Sequence, residues 1–275
     1  MKSDPLQAKA AEWNVTIHET RQTVTSLLGF GVRDQKRVVL KLTNVSDEAH
    51  SGKVLRAFGG SGAVRVYEEE TGAALLERLE PGEQLVSLVR AGEDDAATRI
   101  LAAVIKKLAH HQAPDECPTV ADWGRGFDGY IRSGDRQIPH ELVRAAGAVY
   151  ERLESSQRIT MLLHGDLQHY NLLFDRERGW TAIDPKGVVG ELEYEAGALL
   201  RNPIEYPDLF TNRAIIERRL EILTKLLPLD RSRVIQWAFA QAVLSAVWGV
   251  EDGHRVAPNH PALVLASKLN EILKN

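Results

Sequence analysis

The 275-residue chain holds a single cysteine, Cys117, which excludes an internal disulfide and a cysteine-based structural zinc site and suits a reducing, cytoplasmic setting. It has no basic surplus. With 34 Lys and Arg against 38 Asp and Glu, the formal net charge is −4, which disfavours a dedicated nucleic-acid binder and favours small solutes. Long apolar runs are also missing: the most apolar stretch, residues 234–250, is broken by Gln236 and Gln241 and falls short of the ~20 residues a membrane span needs. It reads as a buried core helix. The N-terminal residues carry no apolar signal-peptide core, and neither solenoid repeats nor low-complexity tracts occur. What is present, 44% hydrophobic and 26% charged residues, is a globular composition with enough apolar side chain for one large or two small domains.

Residues 13–20, 24–32 and 37–42 are rich in Val, Thr and Leu and predict a three-stranded meander, with a polar turn at 33–36. Ser46-Asp47 offers an N-cap for a helix over 48–58, whose Val54, Leu55 and Phe58 share one face, and Gly59-Gly60-Ser61-Gly62 ends it. Residues 63–68 and 73–79 predict a second strand pair, closed by Pro81-Gly82. From Glu83 the pattern becomes helical, with apolar stripes at Ala97, Ile100, Leu101, Val104, Ile105, Leu108 and at Leu142, Val143, Ala146, Val149, Tyr150, Leu153. Further helices are predicted near 193–200, 214–227, 231–251 and 261–273, interrupted by a hairpin formed from 171–174 and 180–183. The expected division is 1–82, balanced at 11 basic and 11 acidic residues, and 83–275, which carries the whole acidic excess.

The richest chemistry flanks that hairpin. His164-Gly165-Asp166-Leu167-Gln168-His169-Tyr170-Asn171 is followed by Ile183-Asp184-Pro185-Lys186-Gly187. A carboxylate, an amide five residues on and a second carboxylate thirteen beyond suit phosphoryl transfer from a nucleotide: one group orients the acceptor hydroxyl, and two hard oxygen donors hold Mg²⁺. Upstream, Val38-Val39-Leu40-Lys41 sets a lysine on a core-facing strand, where it needs an anion such as a phosphate. Taken alone, that lysine is equally a strand-edge residue snorkelling to water.

His-Gly-Asp-x-x-x-x-Asn resembles the catalytic loop of aminoglycoside phosphotransferases and their protein-kinase-like relatives. The longer run, with residues 182–190 and Leu199-Leu200-Arg201-Asn202-Pro203, resembles the aminoglycoside/hydroxyurea resistance kinases, which include streptomycin 6-phosphotransferases. Gly62-Ala63-Val64-Arg65 and residues 75–79 add to the likeness, which spans roughly 13–248. It implies an α+β, bilobal protein-kinase-like fold: an N-terminal five-stranded antiparallel sheet with one helix, residues 1–82, binding the nucleotide, and a mainly helical C-terminal lobe, 83–275, supplying catalysis and the acceptor site. By the same resemblance Asp166 is the base or hydroxyl-orienting residue, and Asn171 and Asp184 are the metal ligands. Lys41 contacts the α- and β-phosphates with Glu48 as its ion-pair partner, and His164 braces the loop. The implied cofactors are ATP and Mg²⁺. For Glu48, a plain acidic residue in the first turn of a helix is the competing reading.

No glycine loop fits a phosphate cradle, since Gly29-Phe30-Gly31 lies late in its strand and the 59–62 run follows a helix. The triphosphate cover is therefore placed at 19–25, and the adenine hinge at Glu77-Arg78-Leu79. The acidic excess of the second part, with Glu191, Glu195, Glu251 and Asp252, points to a cationic acceptor, and Trp248 beside Glu251 and Asp252 is the aromatic candidate for its pocket. Trp123 and Trp237 read as packing residues, and His110-His111 as a helix end. A Gly-x-Ser-x-Gly elbow is absent, which argues against a serine hydrolase, and only 187–195 follow the metal motif, too little for a protein kinase's activation segment. Asp184-Pro185 departs from the kinase pattern, where Phe follows, so regulation by flipping that ring has no basis and a constitutively active enzyme is expected. The expectation is an ATP-dependent kinase of an aminoglycoside such as streptomycin. The alternatives are a kinase of a sugar, an amino alcohol or a hydroxyurea-like metabolite, or a catalytically silent nucleotide-binding module.

Overall fold

Asp4 opens the chain's first helix, α1 (Pro5–Glu12), by accepting the Leu6 N–H at 3.0 Å, with Pro5 pre-set for the first turn. The computed structural model describes residues 4–45 and 48–274. Three strands follow, β1 (Thr16–Gln22), β2 (Ser26–Arg33) and β3 (Lys36–Thr43), as the runs rich in Val, Thr and Leu predict. The helix after β3, α2 (Ser51–Ala57), starts later than expected: Glu48 lies in a turn ahead of it, and the Ser46-Asp47 cap lies outside the described residues. Then come β4 (Val66–Glu70) and β5 (Ala73–Glu77), giving an antiparallel sheet in the order β1-β2-β3-β5-β4. Pleating sorts its two faces. Val38, Leu40 and Leu75 pack under Leu6 and Ala10 of α1 on the outer face, so Val39 and Lys41 point to the other side.

The chain crosses to the second lobe through β6 (Pro81–Gln84), which pairs with a strand of the later hairpin and not with the first sheet. Helices α3 (Val86–Arg90), α4 (Asp94–Leu108), α5 (Val120–Ser133) and α6 (His140–Ser155) precede β7 (Met161–Leu163). The hairpin β8 (Leu172–Asp175) and β9 (Gly179–Ala182) forms as predicted, and β10 (Val188–Gly190) returns to pair with β7. Then follow α7 (Leu192–Leu200), α8 (Pro207–Phe210), α9 (Arg213–Leu226), α10 (Arg231–Glu251) and α11 (Pro261–Lys274). α5 escapes the apolar-stripe reading because glycine replaces apolar residues at its contacts: a Cβ on Gly124 would come 2.8 Å from the Tyr150 ring, and one on Gly126 would come 2.9 Å from Leu244. Helix α10 is long and apolar enough to cross a membrane by length and composition, yet 67% of its apolar window is buried among the other helices. It is the core helix of this lobe, packed against α5, α6, α7 and α11.

One buried cation ties the lobe together. Arg219 of α9 is fully buried, and its guanidinium grips both oxygens of Asp94 at 2.6 and 3.0 Å and the carbonyls of Leu199 and Asn202 at 3.1 and 2.7 Å. Removing one partner of such a pair strands a buried charge, so Arg219→Met is expected to cost about 3–5 kcal/mol. Urea unfolding would read this directly, and a loss under about 1 kcal/mol would mean Asp94 finds water instead.

Candidate active site

A cleft of about 570 Å³ lies between the sheet's inner face and the helical lobe. Leu28, Val39, Lys41, Ala74 and Leu76 line it from the sheet, Leu79 and Pro81 from the crossing, and Asn171, Leu173, Ile183 and Asp184 from the hairpin. The apolar walls suit a flat aromatic ring, and Lys41, Asn171 and Asp184 bring polar groups to it.

Lys41 is buried on β3 between Leu28 and Ala74 of the neighbouring strands. Its Nζ makes an ion pair with Asp184 and stands 3.5 Å from Glu48 Oε2. The sequence pairing of Lys41 with Glu48 is therefore met in space, although Glu48 reaches it from a turn and not from the first turn of a helix. Asp184 sits at φ +60°, a conformation that few non-glycine residues adopt and that Asp tolerates better than most. It is held there by the chain on both sides: Ile183 N–H donates to Asn171 O at 2.9 Å, and Lys186 and Gly187 N–H both donate to His164 O at 3.0 Å.

Asn171 and Asp166 meet directly. The Asn171 Nδ2 donates to Asp166 O at 2.8 Å and to Asp166 Oδ2 at 3.1 Å, which leaves the side-chain Oδ1 of Asn171, a cleft-lining residue, as an acceptor. His164 is fully buried, with Nε2 2.9 Å from Ile183 O and Nδ1 accepting Asp166 N–H at 3.3 Å. Those partners define a neutral ring with the proton on Nε2, in line with burial lowering its pKa. His164 thus links the Asp166 loop to the strand before Asp184.

Two acidic residues expected to face a cationic acceptor do other work. Glu191 is buried and its Oε1 accepts from Arg233 at 2.5 and 2.9 Å and from Trp237 Nε1 at 2.5 Å, so it braces α10 against the loop entering α7. Glu195 is also buried. Its Oε2 accepts His164 N–H at 2.7 Å and its Oε1 accepts Gly165 N–H at 3.1 Å, so it props the backbone leading to Asp166. The run 192–200 carries two acids, Glu193 and Glu195, and nothing in it marks which of them is buried. Burial pushes the Glu195 carboxyl up to about 7, against the opposing pull of those backbone N–H groups. Above an ordinary value of 4.5 the unfolded chain has lost the proton that the native state keeps until about pH 7, so this group lowers stability as pH rises through that window. Glu195→Gln has no such dependence. The stability difference, wild type minus variant, should fall by up to about 1.4 kcal/mol per pH unit between pH 4.5 and 7 and then level. Parallel curves for the two proteins would show that Glu195 titrates normally.

The remaining acceptor candidates lie outside the residues that line this cleft. Trp123 abuts Gly165, where a Cβ would come 2.9 Å from its ring, and its edge meets Trp248 at a centroid distance of 5.8 Å. Lys186 stands over the Trp248 face at 5.6 Å. Trp123, expected to be plain packing, therefore joins Trp248 beside the loop. Glu251 and Asp252 are exposed one turn beyond Trp248 at the end of α10. At the hinge, Glu77 and Leu79 both line the cleft, but the Glu77 carboxylate is turned to Arg178 and Arg65. Of the 19–25 segment, Arg21 and Thr23 line the cleft, as does Ser26 just beyond, whose buried hydroxyl has no protein partner. The 59–62 glycine run instead ties the lobes: Ala182 N–H donates to Gly62 O at 2.8 Å and Val64 N–H to Ala182 O at 2.9 Å.

The two donors Asn171 and Asp184 fit Mg²⁺, which takes one or two protein oxygens and fills its shell with phosphate and water. Among the described residues no cluster of three or more His, Cys, Asp or Glu side chains could hold a metal ion by itself.

The chain is 31% identical over 221 residues to streptomycin 3''-kinase of Klebsiella pneumoniae, across 78% of this chain and 80% of that enzyme. It is 31% identical over 244 residues to streptomycin 6-kinase of Streptomyces griseus, across 85% and 78%. Its fold superposes on a thermostable mutant of aminoglycoside phosphotransferase APH(4)-Ia, solved with ADP and hygromycin B, at a TM-score of 0.66 over 98% of each chain, with 14% identity. Residues 13–253, which take in the whole cleft and the loop around Asp166, match one kinase family throughout. The chain belongs to the aminoglycoside/hydroxyurea antibiotic resistance kinase family.

Proposed function

We propose that the chain transfers the γ-phosphoryl group of ATP to a hydroxyl of a small cationic acceptor of the streptomycin class. The observation that carries this is the convergence of Lys41, Asp184 and Asn171 on one apolar cleft, with Asp166 bonded to Asn171 beside it. In this reading residues 1–82 bind the nucleotide and 83–275 supply the reacting loop and the acceptor site. The adenine lies between Leu28, Val39, Leu76 and Leu173. Its polar edge falls to the Leu79 backbone, because the N–H groups of Glu77 and Arg78 are taken by Arg65 O and Arg37 O. Lys41 neutralises the α- and β-phosphates, and Glu48 keeps it in place. Asn171 and Asp184 would hold Mg²⁺, which supplies charge neutralisation of the phosphate oxygens when bound.

Asp166 accepts the hydrogen bond of the acceptor hydroxyl and aims its oxygen at the γ-phosphorus. The new O–P bond forms as the bond to the β,γ-bridging oxygen breaks, ADP leaves with that electron pair, and the hydroxyl proton passes to the Asp166 carboxylate. Alignment and charge do most of the work, since little covalent chemistry falls to the protein.

Family and relatives support the acceptor class, and the exposed Glu251 and Asp252 offer carboxylates that suit a cation. A panel of aminocyclitols, sugars, amino alcohols and hydroxyurea, assayed for ADP release, tests it. With streptomycin, KM for the acceptor should rise with salt while KM for ATP changes less, because exposed carboxylates are screened within about 8 Å at physiological ionic strength. Reversing the charges of Glu251 and Asp252 together should raise the same KM. A neutral sugar with a higher kcat/KM than every aminoglycoside would remove the cationic acceptor and leave a small-molecule kinase. ATP binding without turnover of any member would instead favour a silent nucleotide-binding module.

A further inference from the structure

The Leu199-Leu200-Arg201-Asn202-Pro203 run has no part in the chemistry above, yet it delivers a cation to the reacting carboxylate. Arg201 caps the C-terminus of α7, and its Nη2 stands 3.6 Å from Asp166 Oδ1. That is the oxygen opposite the one taken by Asn171. The two side chains therefore hold the Asp166 carboxylate by both edges.

Arg201 is itself held at base and tip. The carbonyls of Leu199 and Asn202, on either side of it, are gripped by the buried Arg219. Its Nη1 donates to Gln241 Oε1 at 3.1 Å, and Gln241 Nε2 donates in turn to Tyr194 O at 2.7 Å. Gln241 is a buried amide on the core helix α10, and it reaches Arg201 across Gly197, where a Cβ would come 2.2 Å from Gln241 Oε1. Only glycine at 197 lets the amide pass. With the side chain 14% exposed and fixed between Gln241 and Asp166, this differs from a surface ion pair, in which two long side chains must be ordered for little return.

Resting on the phosphotransferase reading, we infer that Arg201 is a positioning residue: tethered by Gln241, it fixes the plane of the Asp166 carboxylate toward the acceptor hydroxyl. Asn171 alone would hold one edge and leave the carboxylate free to turn. Misplacement of about 1 Å at a reacting group can cost about 10²-fold in rate.

The test compares wild type, Arg201→Met, Arg201→Lys, Asp166→Asn and the Arg201→Met/Asp166→Asn double variant, with streptomycin as the probe acceptor. Arg201→Met should lower kcat by about 10²-fold. The Kd for ATP by calorimetry should stay within about twofold, because Arg201 is not among the residues lining the nucleotide cleft. Arg201→Lys, which keeps the charge but not the forked contact to both Asp166 and Gln241, should recover about tenfold of that loss. In the Asp166→Asn background Arg201→Met should cost less than about threefold, since its partner is already gone. Fully multiplicative losses in the double variant overturn the inference, as does an Arg201→Met enzyme within about threefold of wild type. Equal losses of kcat, ATP affinity and thermal stability in both Arg201 variants make it a purely structural ion pair and also overturn it. Wild-type turnover separates the two levels: wild type inactive on every hydroxyl acceptor defeats the function and this inference together, whereas active wild type with an undiminished Arg201→Met defeats the inference alone.

Discussion

Asp166→Asn is expected to bind ATP as the wild type does and to lose about 10²–10⁴-fold in kcat, the range for removing a general base. The local geometry says why an isosteric amide fails. A carboxylate accepts on both oxygens, one facing Asn171 Nδ2 at 3.1 Å and the other facing Arg201 at 3.6 Å. An asparagine has one oxygen to offer. If that oxygen keeps the Asn171 bond, its NH₂ faces the guanidinium and the acceptor hydroxyl, donor against donor. The bond from the Asn171 side-chain amide to the Asp166 backbone carbonyl is unaffected, so the loop should stay folded and thermal unfolding should hardly move. A kcat within about tenfold of wild type on the best acceptor would remove Asp166 from the role assigned to it.

Asp184→Ala is expected to abolish turnover and to weaken ATP binding in the presence of Mg²⁺ far more than in its absence. The lost carboxylate pairs with Lys41, and in the proposed reading it would also hold the metal against the phosphates. Without Asp184, Lys41 is freed toward the phosphates and retains only Glu48, so free ATP should bind at least as well as before. Alanine at φ +60° adds about 1–2 kcal/mol of backbone strain, which a stability measurement would register separately. Asp184→Asn controls for this, since asparagine tolerates that conformation while giving up the charge. Both variants should lose turnover, and only the alanine should lose stability. Calorimetry that finds the same Mg·ATP affinity in wild type and both variants would take Asp184 out of the site.

Much of this could be read along the chain because the chemistry is clustered in it. Asp166, Asn171 and Asp184 lie within nineteen residues on one loop and hairpin, and that hairpin was readable from its two apolar runs around 175–179. Lys41 was readable too, because a lysine in a run of Val and Leu needs an anion. The acceptor side was not. Glu191, Glu195, Glu251 and Asp252 look alike as acidic residues on or near helices, yet two are buried supports and two are exposed. Composition and periodicity report how many charges a helix carries and which face each occupies, but not which element covers that face.

The sequence by itself determined the hairpins, the strand that carries Lys41, the helical stripes of the second lobe and the reacting loop. These depend on periods of two or 3.6 residues and on turns a few residues long, so nearby residues suffice to specify them. Tertiary structure alone decided that β6 leaves the first sheet to join the hairpin, that Glu195 props the loop from α7, and that Trp123 stands at Gly165. It also decided that Arg201 meets Asp166 under the hold of Gln241, forty positions away. Each of those contacts joins elements whose approach is set by what packs between them, here Arg219 on Asp94 and a glycine at 197 that lets α10 close on α7.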